Sequence, residues 1–425
     1  MNTLRTSRRR LEIRFDAPDL SSDGGILALS KLDRRIGLTK RMAGCITEWR
    51  KGDSPHSLWK LLAQRVYGIC LGWEDCNDFD TLKDDPLYSV ALGEQVASQP
   101  TLSRFENAIG HKDLYLLSRE LVHCFIDTHK DSPPKQIVID MDATEDPAHG
   151  QQEFEFYHGY YGAHCFLPLL VFCSADDGDE ELVGAILRPG NIHAGRRSAS
   201  VLRRLVRALK EAFPSTQILL RGDAGFALSE MYERCEELGI SYLISLSRNP
   251  RLQEIAEPLM QEARALRDQT QGGARVFGET LYAAQTWTRE RRVLIKAEVM
   301  EKGDNPRFVV TNLAGDPKEL YAMYCKRGDC ENRIKELKLD LASGRTSCHR
   351  FKANCFRLIL HALAFVLLSA LRRMLAGTGL ARATMGQIRI KILKVAAMLQ
   401  MSTRRILLRL PRGHPHAKIL SELLA

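Results

Sequence analysis

The sequence predicts an α/β protein, on three observations. Short apolar runs at residues 137–142, 217–220 and 242–246 have the length and side-chain content of strands. Two stretches of helical spacing, 198–213 and 228–238, fall between them. With 425 residues, 44% of them apolar, the chain can bury a real core and a second lobe.

Taken in order, residues 1–130 read as mostly helical. Ser21-Ser22-Asp23 ahead of Ile26 has the composition of a capped helix start, residues 58–71 repeat apolar side chains at helical spacing, and Asp84-Asp85-Pro86 breaks the pattern. Residues 98–105 suit the first turn of a groove-entering helix or, equally, a surface helix with Pro100 in its first turn. From Gln136 the pattern changes to strands at 137–142, 154–157 and 166–172, then a helix at 198–213, a strand at 217–220, a helix at 228–238 and a strand at 242–246. Three strands, helix, strand, helix, strand is the order of an RNase H-like domain. A helix at 252–266 and strands near 275–277, 281–288, 292–300 and 307–311 then form a mainly β insertion. The expected boundaries are 1–130 for a helical region, 131–247 for the first part of the core, 248–312 for the insertion, 313–372 for the rest of the core and 373–425 for a basic C-terminal region.

Formal charge is +9 and unevenly spread. From Leu371 to Ala425 there are 11 Lys and Arg against one acid, Glu422, or +10, which leaves −1 for the first 370 residues. That asymmetry suits a polyanion such as nucleic acid; the plain alternative is a solvated cationic tail. Eleven cysteines without a Cys-x-x-Cys pair argue against a disulfide framework or a structural zinc site and for a reducing cytoplasm. Arg8, Arg9 and Arg10 precede no apolar stretch, so no signal peptide is expected. Residues 358–371 are interrupted by His361 and too short to span a bilayer, so they read as a buried helix and no membrane partner is expected.

The chemistry centres on Tyr324, Arg327, Glu331 and Lys338, at offsets 0, 3, 7 and 14. On one α-helix they fall at roughly 0°, 300°, 340° and 320°, a single stripe. A solvated face with ion pairs explains such a stripe too. Upstream, Asp142 ends the first strand and Asp223 follows the fourth; carboxylates converging from separate elements are what a pair of hard divalent ions requires to flank a phosphodiester. Either acid alone is ordinary turn chemistry. Asp140 shares a strand face with Asp142, so geometry does not choose between them. Asp146 serves only if the strand runs further.

The signature counts Tyr324, two residues, Arg327, three, Glu331, six, Lys338, preceded by Asp316-Pro317-Lys318-Glu319-Leu320-Tyr321. With Asp142-Ala143-Thr144 and Asp223-Ala224-Gly225-Phe226, it resembles the DDE transposases of bacterial insertion sequences, the IS-four superfamily and within it the IS-thirteen-eighty branch. One departure is Gly328, where relatives often carry an aromatic; glycine costs that helix about 1 kcal/mol. The resemblance implies an RNase H-like (retroviral-integrase-like) catalytic domain. It selects Asp142 over Asp140, making Asp142, Asp223 and Glu331 the catalytic and metal-holding acids for two Mg²⁺ ions, with Mn²⁺ able to substitute. It places Tyr324, Arg327 and Lys338 on DNA phosphates and the insertion against the DNA end, where Trp287 stacks on an extruded base or is simply buried in the β-layer. Partners would be double-stranded DNA, both terminal inverted repeats and target, and a second copy in a homodimer. Residues 1–130 would recognise the DNA ends, and the protein would work in the bacterial cytoplasm at the nucleoid. Two other readings are a nuclease that cuts without joining and a catalytically silent DNA-binding protein. The intact trio of acids speaks against the second.

Overall fold

The structure, a computed structural model, describes residues 4–6, 9–11, 13–14, 16, 19–270, 272–301 and 303–425; Arg8 of the arginine run lies outside the described residues. The chain divides into two compact units, one of residues 109–339 and 343–362, the other of residues 1–108, 340–342 and 363–425.

The first unit is built on one mixed sheet. Its strands are β1 (Gln136–Ala143), β2 (Leu169–Ala175), β3 (Glu181–Ile186), β4 (Gln217–Gly222), β5 (Ser241–Leu246), β6 (Ala274–Tyr282), β7 (Arg291–Met300) and β8 (Arg307–Thr311). They stand in the order β6-β7-β8-β5-β4-β1-β2-β3, with a two-residue strand, Gly303–Asp304, on β7. β1, β4 and β5 are parallel; β2 and β3 run antiparallel beyond β1, and β8, β7 and β6 antiparallel beyond β5. Alternation along β1 sends Ile137, Ile139 and Met141 into the larger core, with side chains from helices α2 (Ser198–Ala212), α3 (Ser229–Glu237) and α4 (Pro250–Thr270). Helix α1 (His111–His129) adds Phe125 to that core. The other face carries a smaller core of Leu219, Leu243, Leu294 and Val309 under Leu320 and Tyr321 of α5 (Pro317–Cys325).

Two expected strand assignments are corrected here. Residues 154–157 do not supply a central strand: Phe156–His158 belongs to a small separate sheet with Asp146–Pro147 and Ala163–Phe166. The third central strand is β3, joined to β2 by a tight turn in which Asp176 and Asp177 take positive φ of 47° and 61°. That turn was the available signal, because Asp-Asp-Gly between two apolar runs is hairpin chemistry. Nor are residues 275–277 and 281–288 two strands: β6 runs unbroken through Gly278, and residues 283–290 form a loop. Gly278 marks a close approach rather than a break, since a Cβ there would lie 2.6 Å from Leu259 Cδ1 of α4. The inserted strands extend the central sheet.

The second unit contains the helices Ile26–Ile36, Leu58–Leu71, Pro86–Leu92 and Gln99–Ala108, and a three-stranded sheet of Arg405–Arg409, Ala397–Ser402 and Leu20–Ser21. The expected Ser/Asp cap at the first of these helices is absent. Gly25 occupies the N-cap, where a Cβ would lie 2.4 Å from Leu393 Cα, and Asp23 is instead buried against Lys394 at 2.7 Å and the Trp73 indole N–H at 2.7 Å. The basic C-terminal region is folded into this unit. Arg389 donates to the carbonyls of Cys70 and Ile69 at 2.9 and 3.2 Å, while Arg404, Arg405, Arg409 and Arg412 remain exposed. Helix α7 (Phe351–Met374) is long and apolar enough to cross a membrane, yet 89% of its most apolar window is buried in the protein, as expected for residues 358–371. None of the eleven cysteines is in a disulfide.

Candidate active site

Strand register decides which acids meet. In the parallel pair β1–β4, Asp140 stands opposite Arg221 and Met141 opposite Gly222, so one step further Asp142 faces Asp223, just where β4 ends. Asp140 is consumed by its partner. Arg221 donates through Nε to Oδ1 at 2.8 Å and through Nη2 to Oδ2 at 2.6 Å, and the two side chains are 4% and 1% exposed. The third guanidinium nitrogen reaches the Met323 carbonyl at 3.1 Å, tying β4 to the end of α5. Asp142, by contrast, opens onto a pocket of about 430 Å³ lined by Asp142, Thr144, Asp223, Arg327, Glu331, Ile334, Lys335 and Lys338.

Asp223 caps the turn at Ala224–Phe226, its Oδ1 accepting from the Gly225 amide at 2.9 Å. Glycine is required at 225 because a Cβ would meet Ala194 Cβ at 2.8 Å and Asp223 Oδ1 at 3.0 Å.

The expected single helix is interrupted. Helix α5 stops at Cys325, a turn at Lys326–Arg327 follows, α6 (Gly328–Lys335) resumes, and residues Glu336–Asp340 wind as a π-helix. The break falls where Gly328 weakens helix propensity, and π segments recur at functional sites. A uniform 100° stripe therefore does not hold. Arg327, Glu331 and Lys338 still line the pocket, but Tyr324 does not: its ring lies 6.0 Å from that of Tyr321, over the smaller core. Burial raises the Tyr324 phenol above its ordinary range, opposed by a hydrogen bond with Ser245. Lys335 is a lining cation that the sequence reasoning missed; its place four residues after Glu331 was the signal.

Arg327, 7% exposed, sits at the centre, pairing with Asp142 and, at 3.2 Å, with Glu331, whose side chain is 56% exposed. Burial pushes the Asp142 carboxyl up to about 6; Arg327 opposes this, while Asp223 and Glu331 push the same way. Lys338 Nζ bonds Thr144 Oγ1 at 3.2 Å and the Glu145 carbonyl at 3.0 Å, bridging the last helix to the chain after β1. Asp146 lies outside the pocket, 2% exposed, with Thr346 on one oxygen and no hydrogen-bond partner on the other. Trp287 is not brought to the pocket either. It packs edge-on to Tyr232 and Tyr282, with ring centroids at 5.0 and 5.6 Å, and the Arg291 guanidinium lies 5.6 Å from its ring. The neighbouring cations are already matched: Arg289 and Arg291 to Glu236 at 2.7 and 2.9 Å, Arg292 to Glu279.

The profile of the family described as "Transposase DDE domain group 1" matches residues 4–425, nearly the whole chain. The chain belongs to that family. No curated protein matches it. Among solved structures, the Mos1 transposase paired-end complex with left transposon end is 11% identical at a TM-score of 0.17, covering 47% of this chain and 60% of that one. The Mos1 mariner paired end complex with Mn is 11% identical at 0.18, covering 46% and 61%, and a pre-cleavage Mos1 transpososome 11% at 0.17, covering 52% and 68%. The chain thus spans about 60% of the first of those structures, and at such scores the likeness carries no functional argument.

The oxygen donors that line the pocket, three carboxylates and the Thr144 hydroxyl, are of the type a hard divalent ion takes. Among the described residues, however, no three His, Cys, Asp or Glu side chains stand close enough to hold one. The central positive charge is supplied instead by Arg327.

Proposed function

We propose that this transposase binds the ends of its own insertion sequence and cuts and joins DNA strands at the pocket of Asp142, Asp223 and Glu331. One observation carries the reading: carboxylates from β1, from the turn after β4 and from α6 line a single open pocket together with Arg327, Lys335 and Lys338. The strand order β3-β2-β1-β4-β5, antiparallel on one side and parallel on the other, supports an RNase H-like core of the IS-four type, with the inserted strands extending its sheet.

As placed, Asp142, Asp223 and Glu331 line the pocket without converging on one point; they would hold Mg²⁺ or Mn²⁺ only after Arg327 releases Asp142 and Glu331, and such an ion would supply polarisation of a phosphate and a lowered pKa of water. The protein's own groups do the rest. Arg327 neutralises Asp142 and Glu331 before metal arrives, and its planar fork suits two oxygens of one phosphate once those acids are engaged elsewhere. Lys338, held by Thr144 and Glu145, places a fixed positive charge at the pocket wall, and Lys335 a second. Asp140 and Arg221 keep β1 and β4 in the register on which the site depends. The natural substrate is double-stranded DNA, with two copies of the chain bridging two ends.

Incubating the protein with labelled duplexes that carry candidate element ends, with Mg²⁺, tests this. Cleaved and joined strands from wild type, absent with Asp223→Asn and Glu331→Gln, bear the reading out. Nicks without joining would mean a nuclease, and no cleavage under any metal a binding protein.

A further inference from the structure

We propose that the loop of residues 190–197, which no sequence motif marked, is a phosphate-gripping element for duplex DNA beside the candidate site, with Arg196 and Arg197 making the contacts. The inference rests on the DNA reading above and deepens it.

Four observations converge on this loop. From Pro189 to Lys210 the sequence holds six Lys or Arg and no Asp or Glu. Arg196 and Arg197 are exposed, and among the described residues neither guanidinium has a hydrogen-bond or ion-pair partner. That separates them from the arginines of the insertion, which are spent on Glu236 and Glu279. The loop also touches the Asp223 turn directly. A Cβ on Gly195 would lie 2.6 Å from the Gly225 carbonyl oxygen, and one on Gly225 would lie 2.8 Å from Ala194 Cβ, so the two segments pack backbone to backbone.

The third observation is how the loop is held. Arg188, 5% exposed, donates through Nε to the Leu167 carbonyl at 2.9 Å and through Nη1 to the carbonyls of Ala194 and Arg196 at 2.7 and 3.3 Å. No carboxylate balances it, and Nη2 is buried without a hydrogen-bond partner. Burying an unpaired cation to clamp two carbonyls is a costly way to shape a surface loop. Fourth, Arg197 adopts a left-handed backbone, φ 63°, a strained state for a residue with a side chain, and stands at the N-cap of the 15-residue helix α2, which no side chain caps. Two unfavourable features concentrated in one loop are what a rigid presentation of two free arginines requires. Two free guanidiniums on a firmly held backbone suit phosphate oxygens, and contact with the Asp223 turn places those phosphates beside a scissile one.

The test is equilibrium binding of a labelled DNA duplex to the full chain in EDTA, where no cleavage occurs, across a series of KCl concentrations. Each phosphate contact contributes roughly 0.9 to the slope of log K against log salt. Replacing both arginines, Arg196→Gln with Arg197→Gln, is expected to reduce that slope by about 2 and to weaken binding by roughly tenfold or more at moderate salt. The charge-preserving pair, Arg196→Lys with Arg197→Lys, should restore the slope. It also shows that the backbone at 197 tolerates substitution, with thermal melting confirming that both variants are folded. Wild type that binds DNA with a slope the double Gln variant leaves unchanged would overturn this proposal alone. Wild type without salt-dependent binding to duplex DNA would overturn the DNA reading with it, and tighter binding to duplex RNA than to duplex DNA would overturn the assignment of the partner.

Discussion

Two arginine–aspartate pairs, both anchored on β1 two residues apart, have opposite surroundings. Asp140 with Arg221 is sealed inside the sheet, bidentate and no more than 4% exposed. Asp142 with Arg327 lies at the strand's end, beside Asp223 and on the wall of an open pocket. The first arginine comes from the neighbouring strand in register; the second comes from the turn between α5 and α6 and is shared with a solvent-facing acid. Identical residue types thus form a sealed pair in one place and a pair on an open pocket in the other, and what separates them is where β4 stops.

Substitution should break the comparison cleanly. Asp142→Asn is expected to lower DNA cleavage by on the order of 10³-fold or more, while stability at pH 7 in EDTA rises rather than falls, by up to about 3 kcal/mol, because a buried charge is removed and Glu331 still partners Arg327. Cleavage rate and thermal melting measured on one preparation check both halves. Asp140→Asn should do the reverse. It leaves the Arg221 charge buried with a weakened partner and is expected to cost about 3–5 kcal/mol, seen in denaturant unfolding, with cleavage per folded molecule largely kept.

A pH titration of stability sharpens the same contrast. The carboxyls of Asp142 and Asp146 are both pushed up to about 6, by burial first. A carboxyl raised in the folded state favours folding below its unfolded pKa, and the benefit is lost as pH rises through the folded value. Stability in EDTA should therefore fall between about pH 4 and pH 6, by up to about 3 kcal/mol for each group. At pH 7 a divalent ion should recover the share of Asp142 alone, since Asp146 lies outside the pocket. Asp146→Asn should flatten the remainder. A smaller effect is expected of Trp287→Leu: a loss of about 1–3 kcal/mol from its contacts with Tyr232 and Tyr282, and no change in DNA affinity.

These contrasts also show what could be read from the residues. The five central strands in sequence were legible except for β3, because Glu180 and Glu181 made a strand look like the end of a polar loop and hid a hairpin whose Asp-Asp-Gly turn was in plain view. The spacing of Arg327, Glu331 and Lys338 brought all three to one pocket even though the helix that justified the argument is interrupted twice. Tyr324, at the head of that spacing, falls before the interruption and turns to the core. The choice between Asp140 and Asp142 was invisible to strand periodicity, which puts both on one face. It depends on the partner strand and its register, a long-range property. The two locally strained or costly features that shape the 190–197 loop, the buried unpaired Arg188 that clamps it and the left-handed Arg197 within it, likewise leave no trace in composition.

The most direct test of the metal-holding role of Asp142 is a ligand swap. A thiolate accepts Mn²⁺ more readily than Mg²⁺, the harder ion. Asp142→Cys is therefore expected to cleave duplex DNA with Mn²⁺ while being inactive with Mg²⁺, and Asp140→Cys is expected to show no such metal dependence. Mg²⁺-supported cleavage by Asp142→Cys at the wild-type rate would contradict the assignment of this carboxylate to the reaction.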